Sequence, residues 1–242
     1  MSKPPSIIDA DISRSVTPEL LLGLQGFVAF IDNGIDINAV FDIAAALVNH
    51  EVSAAAITYL KSHPEIAQLF EEQYIAPTPN LEALLKLPSD SLGFAYASHM
   101  RAGNLHPEFY RKVELTDDAS YLALRMRQTH DIWHTVTGFG IDSVGEIGLQ
   151  AFQLAQNRSP LAVMLIAAIT LNTIKMNSDL NPLVRVIQQG YDLGYQAKPF
   201  LAQKWEEAWE KPLADWRLEL NVTPLITDAN SQDASANPQL LV

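Results

Sequence analysis

The chain has 242 residues, 48% apolar and 18% charged, with 28 Asp and Glu against 16 Lys and Arg, a net charge of −12 and no cysteine. That length supports one sizeable core or two small ones. The acidity excludes a nucleic-acid binder and electrostatic attachment to membranes, which both reward clustered Lys and Arg, and the missing Cys excludes disulfides and thiolate chemistry.

Residues 1–16 contain Pro and Ser without periodicity and read as a flexible N-terminus. With no apolar stretch, and with Asp9 and Asp11, they match neither a signal nor a transit peptide; the expected location is the bacterial cytoplasm or the cytoplasmic face of a membrane. Thr17-Pro18 opens a helix running to about Ile31, and Asp32-Asn33-Gly34 turns the chain. Asp36 caps a second helix to about Asn49. Ser53–Lys61 and Pro64–Tyr74 are two further short helices, and Pro77 and Pro79 then break the chain. Asn80–Leu87 is a short helix, and Asp90 or Ser91 caps another from Leu92 to Met100. Pro107–Lys112 reads as a helical turn, and Thr116 or Asp117 caps a long helix through His134. Ser143–Gln156 follows, then a helix from Ser159-Pro160 holding the apolar run Leu161–Ile169. That run is too short for a bilayer, which needs about twenty apolar residues, and reads first as a core helix. Leu180–Gly194 is helical. Phe200–Leu220 is broken at Pro212 and carries Trp205, Trp209 and Trp216, which suit either a membrane boundary or interface or docking on the core. Residues 223–242 read as a disordered tail. No useful strand alternation, P-loop, nucleophile elbow or strand-led dinucleotide loop occurs. The chain is therefore expected to be all-α, a single-domain multi-helix bundle over 17–222.

The chemistry concentrates in His130-Asp131-Ile132-Trp133-His134 and Glu146. Ala119, Leu122, Ala123, Met126, Thr129, His130 and Trp133 recur at helical spacing. His134 lies one turn beyond His130 on nearly the same face, and Asp131 is three residues before His134. Polar groups on a buried stripe need partners, and a divalent cation would serve them all. Gly138 and Gly140 end the helix, so a short connection would bring Glu146 opposite the imidazoles, with Gly145 removing a side chain where the helices approach. Imidazole and carboxylate donors suit zinc; a shell richer in oxygen and water would accept magnesium or manganese. Other readings stand beside this one. Ser143-Val144-Gly145-Glu146 is also a capping box, His130 fits a core histidine, and Asp131 an ordinary solvated charge. His99 and His106 flank Gly103 and read as surface or hydrogen-bonded histidines. Zincins place Glu after the first His, where this chain has Asp131, so a protease is disfavoured.

His-Asp-x-x-His, eleven residues and Glu resembles the signature of the coenzyme Q (ubiquinone) biosynthesis family of metal- and lipid-binding organiser proteins. Leu87–Gly93 with Tyr96, Tyr121–Trp133, and Lys204–Leu213 resemble other segments of that family in the same order, so the likeness covers about residues 18–222. It implies an all-helical, lipid-associated protein holding zinc or another divalent ion on His130, Asp131, His134 and Glu146. Its expected partners are an isoprenoid lipid or prenylated quinone precursor and other quinone-biosynthesis enzymes. Leu161, Met164, Leu165 and Ala168 would line the lipid tail. The low share of charged residues permits a homodimer or a hydrophobic, peripheral membrane contact. The resemblance also implies an alternative role as a metal-dependent oxidative decarboxylase of the prenylated ring. A metal phosphohydrolase of the His-Asp type is a third reading; His134 and Glu146 fit it less well.

Overall fold

The computed structural model describes residues 18–34, 36–48, 50–108 and 113–224. The segment read as the flexible N-terminus, most of the turn read at 107–112, and the tail from 225 onward lie outside the described residues. The described chain is all-α: α1 (Pro18–Asn33), α2 (Ile37–Val48), α3 (Glu51–Lys61), α4 (Pro64–Glu72), α5 (Leu81–Leu84), α6 (Leu92–Ala102), α7 (Asp118–Thr137), α8 (Ser143–Asn157), α9 (Pro160–Lys175), α10 (Asn181–Gln196), a 3-10 turn at Trp205–Glu207 and α11 (Leu213–Glu219). Caps explain several of these starts. Asp117 accepts the Ser120 N–H at 2.8 Å while the Ser120 hydroxyl oxygen accepts the Asp117 N–H at 2.9 Å, a reciprocal box that opens α7. Ser91 caps α6 through the Phe94 N–H at 3.2 Å. The third helix begins two residues earlier than its sequence suggests. There His50 Nδ1 accepts the Val52 N–H at 3.3 Å, an unusual capping residue.

Two apolar clusters hold the helices together. The larger gathers Leu60, Ile66, Leu69, Leu92, Met100 and Trp133 with the C-terminal segment. Within it Trp133, Phe200, Trp205 and Trp216 form a chain of ring contacts, with centroids 5.6, 5.2 and 4.7 Å apart. Trp205 and Trp216 are buried and Trp209 stacks on Tyr96 at 5.1 Å, so the three C-terminal tryptophans dock on the core. Arg125 of α7 pairs with Glu206 at 2.9 Å, both buried, and fastens the 3-10 turn to the long helix. The smaller cluster joins Phe30, Ala39, Val40 and Ile43 of α1 and α2 to Leu165 and Ala168 of α9. One face of the apolar run of α9, with Ala162, Leu165 and Ala168, is thus a core element. Among the described residues no single helix is long and apolar enough to cross a membrane; α2 and α3 pass that test only as a pair, bent by 77°.

Candidate metal centre

The site sits where α7 ends and α8 begins. Gly138 closes α7 in the left-handed region, at φ 83°, where a side chain would be strained. Arg217 of α11 caps the freed end, donating to the carbonyls of Val136 and Thr135 at 2.9 and 3.1 Å. A Cβ on Gly145 would lie 2.1 Å from the Gly140 carbonyl oxygen. The close approach that demands glycine there is therefore with the connecting loop rather than with the facing helix. The N-cap of α8 is Asp142, whose carboxylate accepts the Val144 and Gly145 N–H groups at 2.9 Å each. That displaces the capping-box reading of Ser143 and Glu146. Glu146 is turned inward, 2% exposed.

Three of the four expected ligands meet. One ligand atom each from His130, His134 and Glu146 fall within 4.8 Å of one another. His134 Nε2 is 3.3 Å and His130 Nε2 3.8 Å from the same carboxylate oxygen, Oε2 of Glu146. Asp131 is outside this group. Buried itself, it faces the other nitrogen of His130, with Oδ1 3.6 Å from Nδ1. His134 Nδ1 lies 3.0 Å from the Phe139 carbonyl. A carbonyl can only accept, so Nδ1 carries the proton and Nε2 presents its lone pair to Glu146. His134 thus has an outer partner on Nδ1 and an unpaired Nε2 turned inward, the arrangement that orients a histidine toward a metal, while His130 turns Nδ1 to Asp131 beyond hydrogen-bond reach and Nε2 to Glu146. His130 Nδ1, Asp131 Oδ1, His134 Nε2 and Glu146 Oε2 are buried without a hydrogen-bond partner among the described residues. His134 Nε2 and Glu146 Oε2, desolvated and unpaired, together with His130 Nε2 beside them, fit a divalent cation.

The electrostatics follow from this crowding. Burial by itself would lower the His134 pKa, but Glu146, then Asp131 and the Phe139 carbonyl, outweigh it and raise it above the ordinary value. Burial would likewise raise Asp131; the His130 side chain and the charges of the surrounding imidazoles hold it below the usual carboxylate range instead. His99 is not a surface residue. Its ring stacks on His134 with centroids 5.8 Å apart, and burial, then His134, push its pKa down to about 4. His106 is exposed.

Cavities open on both sides of the centre. His130 lines a chamber of about 100 Å³ together with Gln150, Gln153, Leu161 and Leu165. This chamber shares Phe41, Ala44, Met126, Arg127, Gln153 and Leu161 with an apolar groove of about 470 Å³ between α2–α3 and α7. Of the expected lipid residues, Leu161 and Leu165 face the chamber, while Met164 and Ala168 pack into the α1–α2 cluster. Asp131 lines a separate cavity of about 440 Å³ with Tyr96, Arg127, Gln128 and Glu206. Neither Arg127, on the walls of all three spaces, nor the two glutamines stand out in sequence. Their only signal is spacing: Glu146, Gln150 and Gln153 occupy i, i+4 and i+7 of one helical face.

Comparison with known proteins places the chain in a family. The sequence profile described as coenzyme Q (ubiquinone) biosynthesis protein Coq4 matches residues 39–225. A mitochondrial ubiquinone biosynthesis protein COQ4 homolog of Aedes aegypti is 30% identical over 155 residues, covering 62% of this chain and 56% of its own length. The mitochondrial COQ4 protein of Saccharomyces cerevisiae (strain AWRI1631) is 29% identical over 148 residues, covering 60% of this chain and 43% of its own. The chain thus spans about half the length of these two curated relatives. A crystal structure from Nostoc punctiforme PCC 73102, described as a candidate ubiquinone biosynthesis protein, superposes with a TM-score of 0.74 at 36% identity. It covers 82% of this chain and 96% of that one. This chain belongs to the Coq4 family of coenzyme Q (ubiquinone) biosynthesis proteins.

Proposed function

We propose that this protein acts in ubiquinone biosynthesis by holding a prenylated quinone precursor against a divalent cation. His130, His134 and Glu146 bind the cation, Asp131 orients His130, and the groove lined by Phe41, Ile57, Leu122 and Met126 takes the isoprenoid tail. The observation that carries the reading is the convergence of His130, His134 and Glu146, with His134 Nε2 and Glu146 Oε2 buried and unpaired, beside a chamber that His130 lines and that runs into an apolar groove. Zinc suits two nitrogens and one oxygen best; magnesium would need more oxygen and water around it. Exposed apolar side chains on α1 and α9, among them Val28, Val163 and Ile174, offer surface to other biosynthetic enzymes, to a second copy or to a membrane.

A catalytic role is the second reading, favoured by the cavity beside Asp131, whose wall also carries Tyr96, Arg127 and Glu206. A bound Lewis acid would supply positive charge to a ring carboxylate or phenolate. Oxidation would call for iron, manganese or an added cofactor, since zinc carries no electrons. In that cavity Arg127 would orient an anionic head group against the carboxylates of Glu108, Asp131 and Glu206. Burial, then the carboxylates of Asp131 and Glu206, raise the Tyr96 pKa and keep its phenol protonated.

Elemental analysis tests the common premise. The purified protein should carry about one divalent metal per chain, and His134→Ala should lose it. A metal-free wild type, or a variant that keeps its full complement, contradicts the site. Turnover of a carboxylated, prenylated phenol by the loaded protein then separates enzyme from organiser.

A further inference from the structure

Helices α1 and α2 stand apart from the larger core. They form a stiff hairpin. A Cβ on Gly23 would lie 2.4 Å from the Ala46 Cβ, and one on Gly26 2.9 Å from the Ala39 carbonyl oxygen, so the two backbones nearly touch. The hairpin's buried side chains, Phe30, Ala39, Val40 and Ile43, pack with Leu165 and Ala168 of α9, and none of its apolar side chains belongs to the larger cluster. Two polar ties to α9 lie near the hairpin's turn. Asn172 Nδ2 donates to the Ile31 carbonyl at 2.8 Å, and Lys175 pairs with Asp32 at 2.6 Å. The ion pair is about half exposed and holds weakly.

The hairpin is thus fastened along a seam with α9, and another face of α2 is a wall of the apolar groove. Ala44, Leu47 and Val48, at i, i+3 and i+4, line the same space of about 470 Å³ as Ala119, Leu122, Ala123 and Met126 of α7. Over this stretch an open space, rather than packed side chains, separates the two walls. Apolar walls of this kind gain by approaching each other or by closing on a third apolar body. The α7 wall is held in place, because Tyr121, Ile132 and Trp133 bind that helix into the larger cluster. The α2 wall belongs to an element outside that cluster, the kind of element that opens locally. We propose that the α1–α2 hairpin is a lid on the groove. It swings about its seam with α9, opens to admit the isoprenoid tail and closes α2 onto the tail once it is seated. This rests on the lipid reading above and adds how the groove is loaded.

The test uses the full-length, metal-loaded protein and geranylgeraniol as probe, in nonionic detergent, with occupancy followed by native mass spectrometry. In hydrogen–deuterium exchange of the wild type, amides of α1 and α2 should exchange roughly tenfold faster than those of α7 without the probe, and slow roughly tenfold with it. The chain has no cysteine, so spin labels go only where cysteines are introduced. Val28→Cys on α1 and Leu218→Cys on α11, both exposed, report the distance from the hairpin to the larger cluster. Their distance distribution should be broad without the probe and narrow when it is bound. Leu21→Cys repeats the measurement from a second exposed point on α1. Leu218→Cys with Glu82→Cys, both on the side of the larger cluster, should not change. Exchange and distances that stay the same on confirmed occupancy, or a control pair that changes as much, overturn the lid and leave the lipid reading in place. Failure of the wild type to take up the probe overturns both.

Discussion

At the scale of single residues, the centre is a contest between a proton and a metal ion for one position. The Phe139 carbonyl fixes the His134 proton on Nδ1, so Nε2 and the Glu146 carboxylate face each other at 3.3 Å with lone pairs on both sides. Something positive must lie between them. In the metal-free protein it is a second imidazole proton, which is why the His134 pKa is raised. That ion pair stabilises the fold fully below the unfolded histidine value, about 6.5, and its contribution is lost as pH rises through the higher folded value. A metal needs the same nitrogen unprotonated, so its affinity moves the other way and grows as pH rises through that value. The rise in Tm on adding zinc should therefore be larger at pH 8 than at pH 6. A metal-induced shift that is flat or falling over this range contradicts the assignment of His134 Nε2 as a ligand.

At the scale of elements, the site depends on α8 being held at a fixed depth. Its partner α10 approaches so closely that a Cβ on Gly190 would lie 2.1 Å from the Gly148 carbonyl oxygen. Gly190→Ala must push the helices apart, and α8 carries Glu146 with it. Overpacking of this kind costs about 1–3 kcal/mol or more. The substitution should lower Tm by several degrees and weaken zinc binding in titration. Unchanged values of both would show that α8 is positioned by other contacts. The α7–turn–α8 unit is also what sequence conveys best. Its signals are local: an Asp117 cap, imidazoles one turn apart, glycines after Thr137. What sequence conceals is set by tertiary contact. Asp142 rather than Ser143 caps α8, and only the loop geometry decides between two adjacent capping residues. Asp131 sits three residues from His134, yet it turns to the far side of His130. The helix expected over 80–87 shrinks to Leu81–Leu84, because four residues hold too little periodicity to mark an end. Gln150 and Gln153 carry no local signal in the sequence; they line a space shared with α2 and α9.

At the scale of the whole molecule, two apolar clusters are accompanied by a groove that leads through the chamber to His130. Packing the tryptophans into one cluster and one face of the α9 run into the other leaves that groove as an apolar surface available to a tail. Native mass spectrometry of freshly purified protein should find a co-purifying polyprenyl or quinone species. Substituting Leu161→Asp at the junction of groove and chamber should remove it. Consistently clean apoprotein would contradict the groove as a lipid site. The net charge of −12 adds a constraint: contact with a bilayer would rest on apolar area rather than on attraction to anionic lipid. The whole account turns on one shared cation, and X-ray absorption at the edge of the bound metal examines it most directly. For zinc the account predicts two imidazole nitrogens and at least one carboxylate oxygen at about 2.0–2.2 Å. An all-oxygen shell without imidazole scattering would contradict it.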